Sequence, residues 1–241
     1  MGSSFKIMLF NIEAGVSVTR GYWQYITSSW KYFIKHSFDF EKLTKYIEEE
    51  RVDIAALIET SNTLRFSDNS ELCQKLTGFK HNESVDYRLW KIFRLGNCLA
   101  TRYKIILSVH NQLPAAREKR PLTEILLDVD GSNLKVILTH LSLVRRERTA
   151  QILFIKEYVK KIKGPLVLAA DFNTDNLAEL SPLLEVGLQR VSLPSYPAWK
   201  PSRKLDSLFI NDKLFLIKSW TAPILISDHL PIVAELKFID A

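Results

Sequence analysis

The sequence predicts a mixed α/β sandwich, with residues 1–241 forming one domain. Three observations lead there. Short apolar runs recur along the whole chain, at the length of buried strands rather than helices. Only a few longer stretches repeat their apolar residues at helical spacing. Several neighbouring runs are separated by turn residues, which signals hairpins. No internal repeat, low-complexity tract or linker divides the chain.

In order, Phe5-Lys-Ile-Met-Leu-Phe-Asn11 reads as a buried first strand. An aromatic-rich segment follows. A helix comes next, with Phe40, Leu43 and Ile47 at helical spacing and Ser37 or Asp39 as its N-cap. Asp53-Ile-Ala-Ala-Leu-Ile-Glu59 is a second strand, and 70–77 a short helix capped by Ser70 and ended by Gly78. Strands are predicted at 87–94, 97–101, 104–109, 124–129 and 134–141, the last two joined through Asp130-Gly131 as a hairpin. A long helix over 146–163 carries the stripe Ile152, Ile155, Val159 and Ile162, and Gly164-Pro165 stops it. A strand at 165–170, short helices at 176–180 and 182–186, and strands at 205–210, 214–220 and 231–237 complete the chain.

Composition is that of an ordinary globular protein: 46% hydrophobic and 25% charged. No stretch is long and apolar enough to span a bilayer, and no signal-peptide pattern opens the chain. Cys73 and Cys98 are too few for a disulfide framework and show no zinc spacing, so reduced thiols and a cytoplasmic location are expected. A monomer is the expected state. The formal charge of +6 suits an anionic substrate, although each basic cluster, such as Arg117/Lys119/Arg120 or Arg145/Arg146/Arg148, reads by itself as a solvated face.

The chemistry is read from where the apolar runs stop. They end or begin at Asn11, Glu59, His140, Asp171 with Asn173, Asp206, and Asp228 with His229. Singly, each is a turn or cap residue. Jointly they form a different set. Carboxylates suit a hard divalent cation, and Mg²⁺ takes one or two of them with water and substrate phosphate. A histidine beside an aspartate suits a base held in one tautomer. Asparagine supplies neutral donors for an anion.

From Lys6 to about Leu236 the sequence resembles the endonuclease/exonuclease/phosphatase superfamily. The stretches that carry the resemblance are Phe10-Asn11-Ile12, Leu57-Ile-Glu59, Thr139-His140-Leu141, Ala170-Asp171-Phe172-Asn173, Leu205-Asp206-Ser-Leu-Phe209 and Ser227-Asp228-His229-Leu-Pro231. Each is short, but all six stand in family order. The resemblance implies a deoxyribonuclease-like four-layer α/β sandwich, two mixed and mostly antiparallel sheets packed face to face and flanked by helices. It also implies a Mg²⁺-dependent phosphoesterase, with Mn²⁺ able to stand in. Glu59 would be the principal metal ligand, with Asn11 and Asp228 in the same shell. His229, oriented by Asp206, or else Asp171, held by Asn173, would be the base, and His140 would donate to a phosphate oxygen. Ala170, Ile58 and Ser207 depart from the family's Gly, Gln and Tyr, and no charged group is lost.

Two further stretches resemble a bacterial branch. Gly96-Asn-Cys-Leu-Ala-Thr-Arg102 would place Asn97 near the phosphate, and Tyr196-Pro-Ala-Trp-Lys-Pro leads towards Asp206. Arg145 and Arg148, close after His140, could bind a second anionic group or form a surface helix start. Residues 21–34, rich in Trp, Tyr and Phe, read either as a substrate or membrane platform or as a helix packed on the body. The expected substrate is a phosphodiester of DNA or RNA. The alternatives are a lipid or small phosphate ester, and an inactive phosphate-binding module.

Overall fold

The computed structural model describes residues 3–13, 40–61, 69–89, 93–116 and 119–239. Twelve strands form two six-stranded sheets. The first sheet contains β1 (Ser4–Asn11), β2 (Ile54–Ser61), β3 (His81–Leu89), β4 (Phe93–Thr101), β11 (Leu214–Thr221) and β12 (Ile232–Phe238), in the order β11-β12-β1-β2-β4-β3. The second contains β5 (Lys104–Gln112), β6 (Pro121–Val129), β7 (Ser132–His140), β8 (Leu166–Asp171), β9 (Gln189–Val191) and β10 (Asp206–Ile210), in the order β5-β6-β7-β8-β10-β9. Each sheet has one parallel pair, β1 with β2 and β7 with β8, and its other pairs are antiparallel. Helices α1 (Phe40–Glu49) and α2 (Asn69–Thr77) cover the first sheet, and α3 (Arg145–Val159) and α4 (Leu177–Leu184) the second.

Alternation along the strands builds these layers, because successive side chains leave opposite faces. In β1, Phe5, Ile7 and Leu9 enter the core between the sheets, whereas Met8 and Phe10 join Leu43, Ile47 and Cys73 under the helices. In β8, Val167 and Ala169 face the other sheet, whereas Leu166, Leu168 and Ala170 meet Ile152, Ile155 and Leu180. Both faces of the central strands are dry, which is why they read as unbroken apolar runs. The four-layer α/β sandwich is the observed architecture.

Several boundaries differ from expectation. β3 begins at His81 rather than 87, because an edge strand bonds on one side only and can be as polar as His81-Asn-Glu-Ser-Val-Asp86, with Val85 its one apolar residue. The two short helices expected around Pro182 are one helix. The hydroxyl of Ser181 donates to the Ala178 carbonyl, which proline leaves without its backbone donor. Ser70 lies within α2, and its hydroxyl goes to Asn82 rather than to a cap. Asp130 and Gly131 both have positive φ and close the expected β6–β7 hairpin. Ser37, Asp39 and the 21–34 aromatic segment lie outside the described residues.

The expectation of reduced thiols is corrected. Cys73 on α2 and Cys98 on β4 are bonded at 2.03 Å. Both are buried in the layer between the helices and the first sheet. Packing of α2 on the sheet brings them together, and a spacing of 25 residues along the chain does not reveal it. Thiol titration of freshly prepared protein in denaturant should find no reactive thiol before reduction and both cysteines after it. Two thiols before reduction would refute the bond.

Candidate active site

The site continues the core between the sheets past its end. The residues that enter this core are odd-numbered in β1 and β8 and even-numbered in β7 and β10. Asn11 and Asp171 therefore end β1 and β8 on that face, His140 ends β7 on it, and Asp206 opens β10 on it. Asn97 shares the parity of Leu99 in β4. Five polar side chains thus replace the core's next layer without a turn in any strand. Asp206 is the register partner of Asp171, and His140 is paired beside Asp171 on the other side.

Glu59 has the wrong parity. In β2, Ile54, Ala56 and Ile58 face the core between the sheets, so a regular strand would send Glu59 to the helix side. A bulge solves this. The β2–β4 register shifts between Ile58 and Thr60, opposite Asn97 and Gly96, and Glu59 is the extra residue at φ 57°. A bulged residue is re-aimed, and a left-handed backbone at a non-glycine residue costs about 1–3 kcal/mol. Glu59 consequently lies 3.6 Å from His140, on the other sheet.

Asp171 is held from several sides. Its Oδ1 accepts the Asn173 backbone N–H at 2.8 Å, and its Oδ2 accepts from Asn11 Nδ2 at 3.0 Å. The Oδ1 of Asn11 accepts the Glu13 N–H, so its amide bridges this corner. Asn173, at φ 53°, leaves the strand in a left-handed turn and donates from Nδ2 to the Leu141 carbonyl at 2.7 Å. Phe172 points away and packs edge-on against Phe209 in the helix-side core.

His140 is buried between Glu59 and Asp171. Burial, and then the Arg120 guanidinium, push it down to about 3, so the ring is neutral near pH 7. Both ring nitrogens face donors: Arg120 Nη1 lies 3.1 Å from Nδ1, and Asn173 Nδ2 lies 2.9 Å from Nε2. A neutral imidazole has one N–H and cannot accept at both. Arg120 is always charged, and hydrogen bonds from charged donors are the stronger kind, so Nδ1 accepts and Nε2 carries the proton, which leaves Asn173 Nδ2 its bond to the Leu141 carbonyl and none to the ring. That proton points to the Asp171–Asn173 side. Tyr87 completes the cluster: its hydroxyl accepts from Arg120 Nη1 at 3.0 Å and lies 3.4 Å from His140 Nδ1.

On the opposite side, His229 Nδ1 donates to Asp206 Oδ2 at 2.7 Å, and Ser195 Oγ donates to the same oxygen. Burial opposes a charge on His229, but Asp206, Asp228 and Asp171 outweigh it and hold the ring well above its ordinary value. These carboxylates therefore favour the protonated ring. Ser227 fixes the turn, donating to the Asn11 carbonyl and to Asp228 while accepting the His229 N–H. The Tyr196 ring leans on the His229 ring at 4.9 Å, so the segment from Tyr196 reaches the site as expected.

The carboxylates crowd one another. Burial, then Asp228, push Glu59 up to about 7; Asp171 adds to this, against the pull of Arg120 and His229. Asp206 Oδ1 is buried without a hydrogen-bond partner among the described residues. Such a set of oxygens fits a hard divalent cation. One ligand atom from each of Asp171, Asp206 and His229 also lies within 4.8 Å of the others. The histidine of that trio is already bonded to Asp206 through Nδ1.

The remaining predicted residues divide. Asn97 is buried, and neither end of its amide has a partner among the described residues, leaving both for a ligand at this end of the sheet. Arg145 is exposed at the start of α3. Arg148 is not offered to an anion: it pairs with Glu179 at 2.7 and 3.2 Å and donates to the Ser142 and Leu143 carbonyls. Arg120, read from sequence as part of a solvated cluster, is among the most buried side chains of the protein. Arg120 and Tyr87 were not singled out for the site. The Asp130-Gly131 hairpin held the signal for Arg120, because counting back along its register sets the residue before Pro121 beside the end of β7.

No protein-family model matches the chain, and no curated protein matches it in sequence. Solved structures do match. An endonuclease/exonuclease/phosphatase from Beutenbergia cavernae is 18% identical at a TM-score of 0.78, over 98% of this chain and 72% of that one. A family protein from Leptotrichia buccalis is 20% identical at 0.70, over 98% and 100%. D. rerio TDP2, in complex with a single-strand DNA product, is 14% identical at 0.72, over 98% and 99%. The chain has the fold of the endonuclease/exonuclease/phosphatase proteins.

Proposed function

We propose that this protein is a Mg²⁺-dependent phosphoester hydrolase in which water attacks phosphorus in line. The carrying observation is the convergence of Glu59, Asp228, Asp171, His140 and His229 at one end of the sandwich, where buried carboxylates meet imidazole rings. Glu59 and Asp228, with Asp171 at the edge, would hold the cation, and bound Mg²⁺ would supply Lewis-acid polarisation of the phosphate. Asp171 positions the attacking water and accepts its proton. Both of its oxygens already hold hydrogen bonds, so its orientation is set before substrate arrives. His140 donates from Nε2 to a phosphate oxygen, and Asn97 adds amide donors. His229 serves as a cation rather than a base, stabilising charge that develops on the phosphate.

A phosphodiester of DNA or RNA is the substrate class we take first. The TDP2 neighbour with its DNA product and the charge of +6 support it. A lipid phosphate ester is the second reading, favoured by exposed leucines beside the site. The intact charged set counts against an inactive binding module. No helix among the described residues is long and apolar enough to cross a membrane. A cytoplasmic location fits reduced thiols better than the Cys73–Cys98 bond, so the thiol titration also bears on the compartment.

Asp171→Ala and His229→Ala should each lower kcat/KM on bis-p-nitrophenyl phosphate by at least ~10²-fold, within the range of acid–base groups. Wild-type rates in both variants would refute the assignment. EDTA should abolish turnover, and turnover that survives it would exclude the metal.

Glu59 also gives the metal-free protein a pH dependence of stability. Its carboxyl lies at about 7 in the fold against an ordinary 4.5. Between those values the folded chain holds a proton that the unfolded chain has lost, so this group's contribution to stability falls as pH rises. A bound cation removes that penalty, so Mg²⁺ should raise Tm more at pH 8 than at pH 5. Glu59→Gln should flatten the slope and shrink the Mg²⁺ shift. Equal Mg²⁺ shifts at both pH values would contradict the role.

A further inference from the structure

Two loops form a rim beside the site. One runs from His140 through Leu141, Ser142, Leu143 and Val144 into α3. The other runs from Asn173 to Asn176, the N-cap of α4. Among the described residues the two most exposed large hydrophobic side chains are both on this rim: Leu143 at 69% and Leu177 at 61%. Val144 is exposed as well. Isolated exposed leucines need no explanation, but a group of them beside a candidate active site does.

This rim is held rigidly. Arg148 donates to the Ser142 and Leu143 carbonyls with one nitrogen and grips Glu179 with the other two. Glu179 accepts in turn from Thr174, whose hydroxyl takes the Asn176 N–H. One guanidinium therefore ties the backbone that presents Leu143 to the first turn of the helix that presents Leu177. The backbone that presents the leucines is thus tied down before any partner arrives.

Exposed positive charge lies directly beside them. Arg145 and Arg146 are exposed directly after Val144. The acids of the rim are engaged: Glu147 accepts from Ala116 N–H and Ser142 Oγ, Glu179 holds Arg148, and Asp175 holds Arg203. The surface thus presents aliphatic tips beside arginines, the composition of an interfacial anchor for anionic lipid, in which apolar tips enter the acyl boundary and cations stay at headgroup level. Nucleic acid would be met differently, by aromatic faces for the bases, and leucine and valine offer none.

We propose that the Leu143–Val144–Leu177 rim, with Arg146, docks the protein on an anionic phospholipid bilayer and turns the site towards that surface. Docking itself is independent of catalysis. Only its consequence, delivery of a lipid phosphate ester to the site, rests on the second, lipid-ester reading of the hydrolase above.

The test is co-sedimentation with vesicles of phosphatidylcholine alone and of phosphatidylcholine with phosphatidylserine, at low and high salt. Wild type should bind the mixed vesicles, at least tenfold more weakly at high salt or without phosphatidylserine. Leu143→Glu/Leu177→Glu and, separately, Arg146→Glu should each weaken binding by at least tenfold. Both variants should keep their melting temperature and their rate on soluble bis-p-nitrophenyl phosphate within about twofold. Absence of wild-type binding at millimolar lipid would overturn the proposal, and so would variants that bind like wild type. Loss of duplex or single-stranded DNA binding in the same variants, with no vesicle binding in wild type, would overturn it in favour of a nucleic-acid surface. Vesicle binding by a protein with no hydrolytic activity would sustain the docking surface and remove the hydrolase.

Discussion

The structure depends on one constraint, the shared dry interior between two sheets. Each central strand must keep every second side chain apolar to fill that space, and it must keep the others apolar to meet a helix layer. Burying a single leucine or phenylalanine stabilises by about 1.5–3 kcal/mol, so a slip of one residue in any strand is heavily penalised. Register is therefore strongly specified, and so is the direction of the first polar residue past the core. Asn11, His140, Asp171 and Asp206 inherit their aim from Leu9, Leu138, Ala169 and Leu208 two positions away. The site is the point at which that core stops being apolar.

Glu59 is the exception, and it carries the local cost. Its bulge and left-handed backbone break the ladder between β2 and β4, and its carboxylate enters a space already holding Asp228 and Asp171. Arg120 and His229 offset part of that repulsion from opposite sides. Removing one member of such a set leaves its partner buried and uncompensated, so the charges support one another only as a group. A cation bound there would relieve the like-charge crowding, though not the backbone strain.

Tautomer and charge state divide the two histidines. Both are buried beside carboxylates, yet they differ because their nearest charged partners differ. Burial, and then Arg120, favour the neutral form of His140, whereas Asp206 accepts from His229 and favours its charged form. One neutral donor and one cation stand on either side of Asp171. Residue type alone does not separate those electrostatic environments.

The sequence by itself determined the layers and most of the polar positions. Buried runs, helical stripes and the Asp130-Gly131 turn are local signals, and the order Asn11, Glu59, His140, Asp171, Asp206, His229 is written along the chain. It was weakest where one side of an element is free of constraint, as in the polar edge strand β3 and the three-residue β9. It was silent where partners come from distant segments. Arg120 and Arg148 have the composition of surface charge, and only packing buries them against His140 and Glu179. Cys73 and Cys98 likewise meet because a helix lies on a strand. The physical reason is common to these cases. Periodicity records which face a residue takes within its own element. What stands opposite that face is decided when the two sheets and their helices close on one another.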